Sequence, residues 1–214
     1  MTKVDLLIFD FDGTLADTGA DLAASINHTL AALRMDPRPP REILGFVGDG
    51  VRLLMERSLG ENYKERLDEA MHVFIRHYEE HLLDQTVLYP RVEEVLKYFH
   101  SKKKVILTNK RYYLTLAIAR GLGIDGYFTE IVGADSTPFQ KPDRRTVDYL
   151  LAKHHAAAEK TVIIGDGVND VAVAKNAGIL SCVHLNGLGS REALRKMEAD
   201  FYYEHLVEIE TLFQ

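Results

Sequence analysis

Five short apolar runs punctuate this chain: Val4–Phe9, Lys104–Leu107, Glu130–Val132, Thr161–Ile164 and Ile179–Val183. Most are β-branched and nearly continuous in apolar character, the pattern of strands covered on both faces. Helices are expected between and beside them, over Arg91–Ser101, Tyr113–Leu122, Arg144–His154 and Val168–Asn176. That alternation specifies an α/β fold with a doubly wound parallel sheet. It also says where a site should be, because such sheets bind ligands at the carboxyl ends of their strands.

One stretch breaks the alternation. Residues 17–86 contain almost no β-rich run. Leu22, Ile26, Leu30 and Leu33 recur at helical spacing, Pro37, Pro39 and Pro40 interrupt, and helical patterns resume over Arg52–Leu59 and Tyr63–Leu83. The expected organisation is an α/β core of residues 1–16 and 87–214, with a helical cap of residues 17–86 inserted in the first crossover. A cap so placed would act as a lid that excludes water.

Polar motifs follow the strands. Phe9-Asp10-Phe11-Asp12-Gly13-Thr14-Leu15 ends the first strand in two carboxylates and a glycine turn. Paired anions repel unless a cation or shared proton intervenes, and Mg²⁺ prefers oxygen ligands beside a phosphate. A carboxylate can also attack phosphorus and form an aspartyl-phosphate. Thr108-Asn109-Lys110 offers a hydroxyl and a backbone N–H for a phosphoryl oxygen. Lys141, fixed before Pro142 at an expected helix start, reads on its own as a solvated lysine or as a cation that neutralises charge shared by phosphate and carboxylates. Gly165-Asp166-Gly167-Val168-Asn169-Asp170 places two more carboxylates at a strand-to-helix turn. The four acids together call for a hard cation, Mg²⁺ rather than zinc.

Composition narrows the function classes. A net charge of −6 argues against a broad nucleic-acid surface. No stretch approaches a membrane span, and the first apolar run, short and interrupted by Asp10, is no signal peptide. The single cysteine, Cys182, permits no intrachain disulfide and reads as packing in a buried strand. A cytoplasmic setting is expected. His77 and His81 share a helix face without further zinc ligands in evidence. Met35, Leu53, Leu54 and Met55 would supply an apolar patch on the cap, so that a monomer or a homodimer is expected.

In this order the motifs resemble those of the haloacid dehalogenase superfamily of aspartate-nucleophile phosphatases: Asp10-Phe11-Asp12-Gly13-Thr14, Thr108-Asn109, Lys141-Pro142, and Gly165-Asp166 with Asp170. Within it the chain looks most like phosphoglycolate phosphatases, through Thr108-Asn109-Lys110, Tyr89-Pro90 and the cap string Phe46-Val47-Gly48-Asp49-Gly50-Val51-Arg52. Arg144 stands where that family often has a second proline. The resemblance implies Asp10 as nucleophile and Asp12 as acid and base. It implies Mg²⁺ on Asp10, the backbone carbonyl of Asp12, Asp166 and Asp170, with Thr108, Asn109 and Lys141 on the phosphoryl group. Gly48 and Gly50 would form a tight cap turn over the substrate, with Arg52 on a substrate carboxylate or paired to Glu56. The substrate would be a small phosphorylated metabolite, 2-phosphoglycolate first. Another sugar phosphate or nucleotide, a phosphosugar mutase reaction, or a non-enzymatic binding role are the alternatives.

Overall fold

A computed structural model describes residues 1–214. Eight strands form: β1 (Leu6–Phe9), β2 (Ala16–Asp17), β3 (Val87–Leu88), β4 (Lys103–Leu107), β5 (Glu130–Val132), β6 (Thr161–Gly165), β7 (Leu180–His184) and β8 (Phe201–Tyr203). The α-helices are α1 (Gly19–Ala32), α2 (Pro40–Leu44), α3 (Val51–Leu59), α4 (Leu67–Glu80), α5 (Val92–Tyr98), α6 (Tyr112–Gly121), α7 (Arg145–His154), α8 (Val168–Ala177), α9 (Arg191–Lys196) and α10 (Ile209–Leu212). Six strands make one parallel sheet in the order β5-β4-β1-β6-β7-β8.

Strand alternation explains why β1 is apolar throughout. Leu7 and Phe9 enter a cluster with Val92, Val95 and Leu96 of α5 and Ile209 near the C-terminus. Leu6 and Ile8 face the other way, toward Val147 and Leu150 of α7 and Val173 and Ala174 of α8. Both faces of the sheet are covered, so neither side of the strand can be polar. All five expected strands are present. Sequence pattern alone misses β8, whose three residues are too short to show a period, and the two-residue β2–β3 ribbon. Pro142 lies before the helix rather than in it: α7 starts at Arg145, where Asp143 accepts the Arg145 backbone N–H at 3.0 Å and its carbonyl takes the Thr146 hydroxyl at 2.8 Å.

Helices α1 to α4 pack around their own apolar cluster, which includes Ile26, Leu30, Met55, Phe74 and Tyr78 and reaches the sheet layer through Leu114 of α6. The antiparallel β2–β3 ribbon lies at the two crossings between this layer and the core, pairing Ala16 with Leu88 and Asp17 with Val87. The apolar patch expected from Met35, Leu53, Leu54 and Met55 does not form: Leu54 and Met55 are buried inside this cluster, and only Leu53 is exposed. Helical periodicity turns those two neighbours inward while Leu53 points out. His28 of α1, His77 of α4 and His81 just past α4 stack ring on ring. Cys182 is buried in β7, and burial pushes its thiol pKa up. No helix is long and apolar enough to cross a membrane.

Candidate active site

The sheet order runs outward in both directions from β1, so the carboxyl ends of β1, β4 and β6 lie side by side at the switch point. Asp10 is the residue after β1. Its Oδ1 accepts the Phe11 N–H at 2.7 Å and the Lys141 ammonium at 3.0 Å, and Oδ2 has no protein donor. Asp166 follows β6, and Asp170 lies in the first turn of α8. Oxygens of Asp10, Asp166 and Asp170 come within 4.8 Å of one another. Asp10 and Asp166 thus come from strands adjacent in space but far apart in the chain.

Two glycines permit this crowding. Gly13 has φ +82°, and a Cβ there would fall 2.0 Å from Asp166 Oδ2. A Cβ on Gly165 would lie 2.2 Å from Asp170 Cγ. Asp166 is then fixed by the Thr14 hydroxyl at 3.2 Å and by the Leu188 and Gly189 N–H groups at 2.7 and 3.0 Å. The Gly187–Ser190 loop therefore borders the site and orients one of its carboxylates.

Lys141 bridges the cluster, 3.0 Å from Asp10 and 2.6 Å from Asp170, with its side chain buried. Burial disfavours its charge, yet Asp10 and Asp170 outweigh that and raise its pKa. Burial raises Asp10 to about 7, with Lys141 opposing and Asp170 adding repulsion. Burial likewise carries Asp166 to about 8, reinforced by Asp10 and Asp170. Carboxylates held this far above their usual range are short of positive charge. An all-oxygen group of three fits a hard divalent cation of the Mg²⁺ type. The Asp12 carboxylate stands outside this group; it accepts the Thr18 hydroxyl at 2.6 Å and the Lys110 ammonium at 3.0 Å.

Thr108 and Asn109 follow β4 and line the cavity. The Asn109 side chain, however, is committed to holding the protein together. Its Oδ1 accepts the Lys141 N–H, and its Nδ2 donates to the carbonyls of Lys141 and Gly48, all at 3.0 Å. Its backbone N–H, like that of Asp12, donates to no protein acceptor. Lys110, which the sequence motif includes without a role of its own, is a buried member of the site. Burial works against its charge, but Asp12 and the Tyr78 hydroxyl at 2.7 Å raise its pKa.

The cap closes a cavity of about 790 Å³ over these groups. Gly48 and Gly50 sit in its wall with φ +122° and +88°, and Asn169 of α8 donates to Asp49 Oδ1 at 2.7 Å and the Gly48 carbonyl at 3.2 Å. Arg52 does not belong here. It stands on the outer side of α3, 65% exposed and 3.2 Å from Asp68 rather than Glu56. Further along α3, Arg57 lines the cavity and pairs with Asp49 at 2.6 Å, and Arg41 of α2 joins it. Helix phase decides between the two arginines, and the sequence carried no signal for which face of α3 looks inward.

Residues 7–184 match the family described as haloacid dehalogenase-like hydrolase. The chain belongs to that family. Sequence relatives include a phosphoglycolate phosphatase of Vibrio cholerae, 30% identical over 94% of this chain and 93% of that one. Another, from Psychrobacter arcticus, is 36% identical over 81% of this chain and 80% of its own. Among solved structures, a predicted phosphoglycolate phosphatase from Haemophilus somnus superposes with a TM-score of 0.94, at 26% identity and 99% coverage of both chains. A haloacid dehalogenase-like protein of Streptococcus pneumoniae shares the fold, with a TM-score of 0.90 at 24% identity and 99% coverage of both. The chain is a phosphatase of this family.

Proposed function

We propose that this protein is a Mg²⁺-dependent phosphatase that hydrolyses 2-phosphoglycolate to glycolate and inorganic phosphate through an aspartyl-phosphate on Asp10. The observation that carries the reading is Asp10 itself. It sits on a rigid strand end with one oxygen tied to Lys141 and Phe11 and the other free of protein donors, inside a cluster that needs a cation. The free oxygen attacks phosphorus in line as the ester P–O bond breaks. Asp12 gives its proton to the leaving oxygen, then removes one from the water that splits the acyl-phosphate and regenerates Asp10. Lys141, the Thr108 hydroxyl and the unpaired N–H groups of Asp12 and Asn109 hold the phosphoryl oxygens. Asp10, Asp166, Asp170 and the Asp12 carbonyl would hold Mg²⁺, which when bound neutralises charge between the carboxylates and the phosphoryl group.

An anionic substrate suits the cavity, whose wall carries six basic side chains against five aspartates before any cation is counted. Residues 17–86 act as the lid that excludes water, hinged near the β2–β3 ribbon. A cytoplasmic setting, where thiols stay reduced, is in keeping with the lone buried cysteine.

Phosphate release from a panel of 2-phosphoglycolate, sugar phosphates and nucleotides, with Mg²⁺ and with EDTA, tests this reading. Metal-dependent release with phosphoglycolate clearly preferred is the expected result. A stronger preference for another ester would transfer the substrate, and undiminished release in EDTA would remove the metal.

A further inference from the structure

Lys110 is a buried cation beside the acid Asp12, and phosphoryl binding does not call for it. An ammonium has three N–H donors. One is shared between the two Asp12 oxygens, at 3.0 and 3.3 Å, and one goes to the Tyr78 hydroxyl at 2.7 Å. The third has no protein acceptor, and Lys110 forms part of the cavity wall. Its side chain is only 5% exposed, so it is fixed rather than waving in solvent.

The position of that third donor has a chemical meaning. During the first half-reaction Asp12 donates to the ester oxygen, which puts that oxygen within about 3 Å of the Asp12 carboxyl. In the phosphate ester of an α-hydroxy acid, one carbon separates the ester oxygen from the carboxylate, and the nearer carboxylate oxygen lies about 3 Å from the ester oxygen. Asp12 thus neighbours both the ester oxygen and Lys110, so a carboxylate one carbon from that oxygen can turn toward the free N–H. We infer that Lys110 is a specificity-determining residue, whose free N–H recognises a carboxylate one carbon from the ester oxygen. This rests on Asp12 serving as the acid, and it adds the selecting group to the proposed substrate. Tyr78, from α4 of the cap, accepts a hydrogen bond from the lysine at 2.7 Å. Cap closure thereby places the selector as well as the lid. The cap arginines suit this role less well, since Arg57 is already paired with Asp49 and Arg41 is exposed rather than fixed beside Asp12.

Three esters separate the possibilities: 2-phosphoglycolate, its neutral counterpart 2-hydroxyethyl phosphate, and 3-(phosphonooxy)propanoate, which moves the carboxylate one methylene away. Each is assayed with Mg²⁺ for kcat/KM in the wild type and in Lys110→Met and Lys110→Gln. The wild type is expected to prefer phosphoglycolate over both others. Lys110→Met should reduce the preference for phosphoglycolate over the neutral ester by roughly 10- to 100-fold, as expected for one charge-assisted hydrogen bond, with Lys110→Gln intermediate. A lysine that only steadies Asp12 would slow both esters alike and leave the ratio unchanged, which overturns the inference. Equal turnover of the propanoate by the wild type overturns it too, without relying on any variant's folding. Should the wild type turn over all three esters alike, the substrate reading itself fails. A wild type that prefers phosphoglycolate with variants that keep the preference removes Lys110 alone.

Discussion

The strand-end cluster and the cavity face of the cap both carry dense charge, but they hold it differently. In the cluster, Lys141 and Asp170 are 2% exposed; Lys141 is held between Asp10 and Asp170, and Asp170 also accepts the Gly167 N–H and packs against Gly165. On the cap, Arg57 pairs with Asp49 half in solvent, and Arg41 lines the cavity without an ion-pair partner. Buried charges cannot move without leaving a partner uncompensated, whereas half-exposed ones are screened and can be exchanged at little cost. The first arrangement suits a reaction whose geometry must not vary. The second suits recognition, which can change while the chemistry stays.

Substitutions and conditions should rank accordingly. The largest effect belongs to Asp10→Asn, which should lower kcat by ~10⁴-fold or more while circular dichroism and thermal melting stay close to wild type. Wild-type turnover by that variant, with deamidation excluded by mass spectrometry, would break the assignment of the nucleophile.

Next comes the charge deficit of the cluster. Asp10 and Asp166 have folded-state values of about 7 and about 8, well above the ordinary carboxylate value of 3.8. Over that window the metal-free folded protein keeps protons that the unfolded chain has released. Its stability must therefore fall as pH rises from about 4 to about 8. On the proposed reading Mg²⁺ would bind the deprotonated carboxylates and offset the loss. Melting temperatures in EDTA and in Mg²⁺ should accordingly differ more at about pH 8 than at about pH 5.5. A gap that stays constant with pH would mean the cluster does not bear the strain assigned to it.

Asn169→Ala probes the boundary between the two regions, since Asn169 ties the core helix α8 to Asp49 and Gly48 of the cap. Loss of these bonds should raise KM by roughly 3- to 10-fold and change kcat less, because closure weakens but the cluster is untouched. A fall in kcat with constant KM would place Asn169 with the chemistry instead. Arg52→Ala, on the outer side of α3, should alter kcat/KM by less than about twofold, as an exposed ion pair contributes little. A large loss with phosphoglycolate would return Arg52 to the substrate site.

Much of the core is legible in the sequence. Runs such as Val4–Phe9 and Thr161–Ile164 are apolar because both sheet faces are covered, and the polar residues that follow each strand fall at the sheet's carboxyl edge. Asp10, Lys141, Asp166 and Asp170 can be gathered from sequence because each follows a strand closely or lies beside a helix start, where local rules fix direction. Asn109 illustrates the limit. Its place was legible, but its amide proved to be a clasp on Lys141 and Gly48, partners 32 and 61 residues away.

What the sequence by itself determined is the parallel sheet, the inserted helical segment and the edge where the carboxylates meet. These follow from short continuous apolar runs, a helical period of about 3.6 and glycine turns, all of them local properties. Only the tertiary structure decided that Arg57 rather than Arg52 faces the cavity, that the Leu188 and Gly189 amides orient Asp166, and that Lys110 links Asp12 to Tyr78. Each of those contacts depends on how the cap and the last loop dock onto the sheet. Docking is set by shape and burial summed over many residues, and no short stretch of chain encodes it.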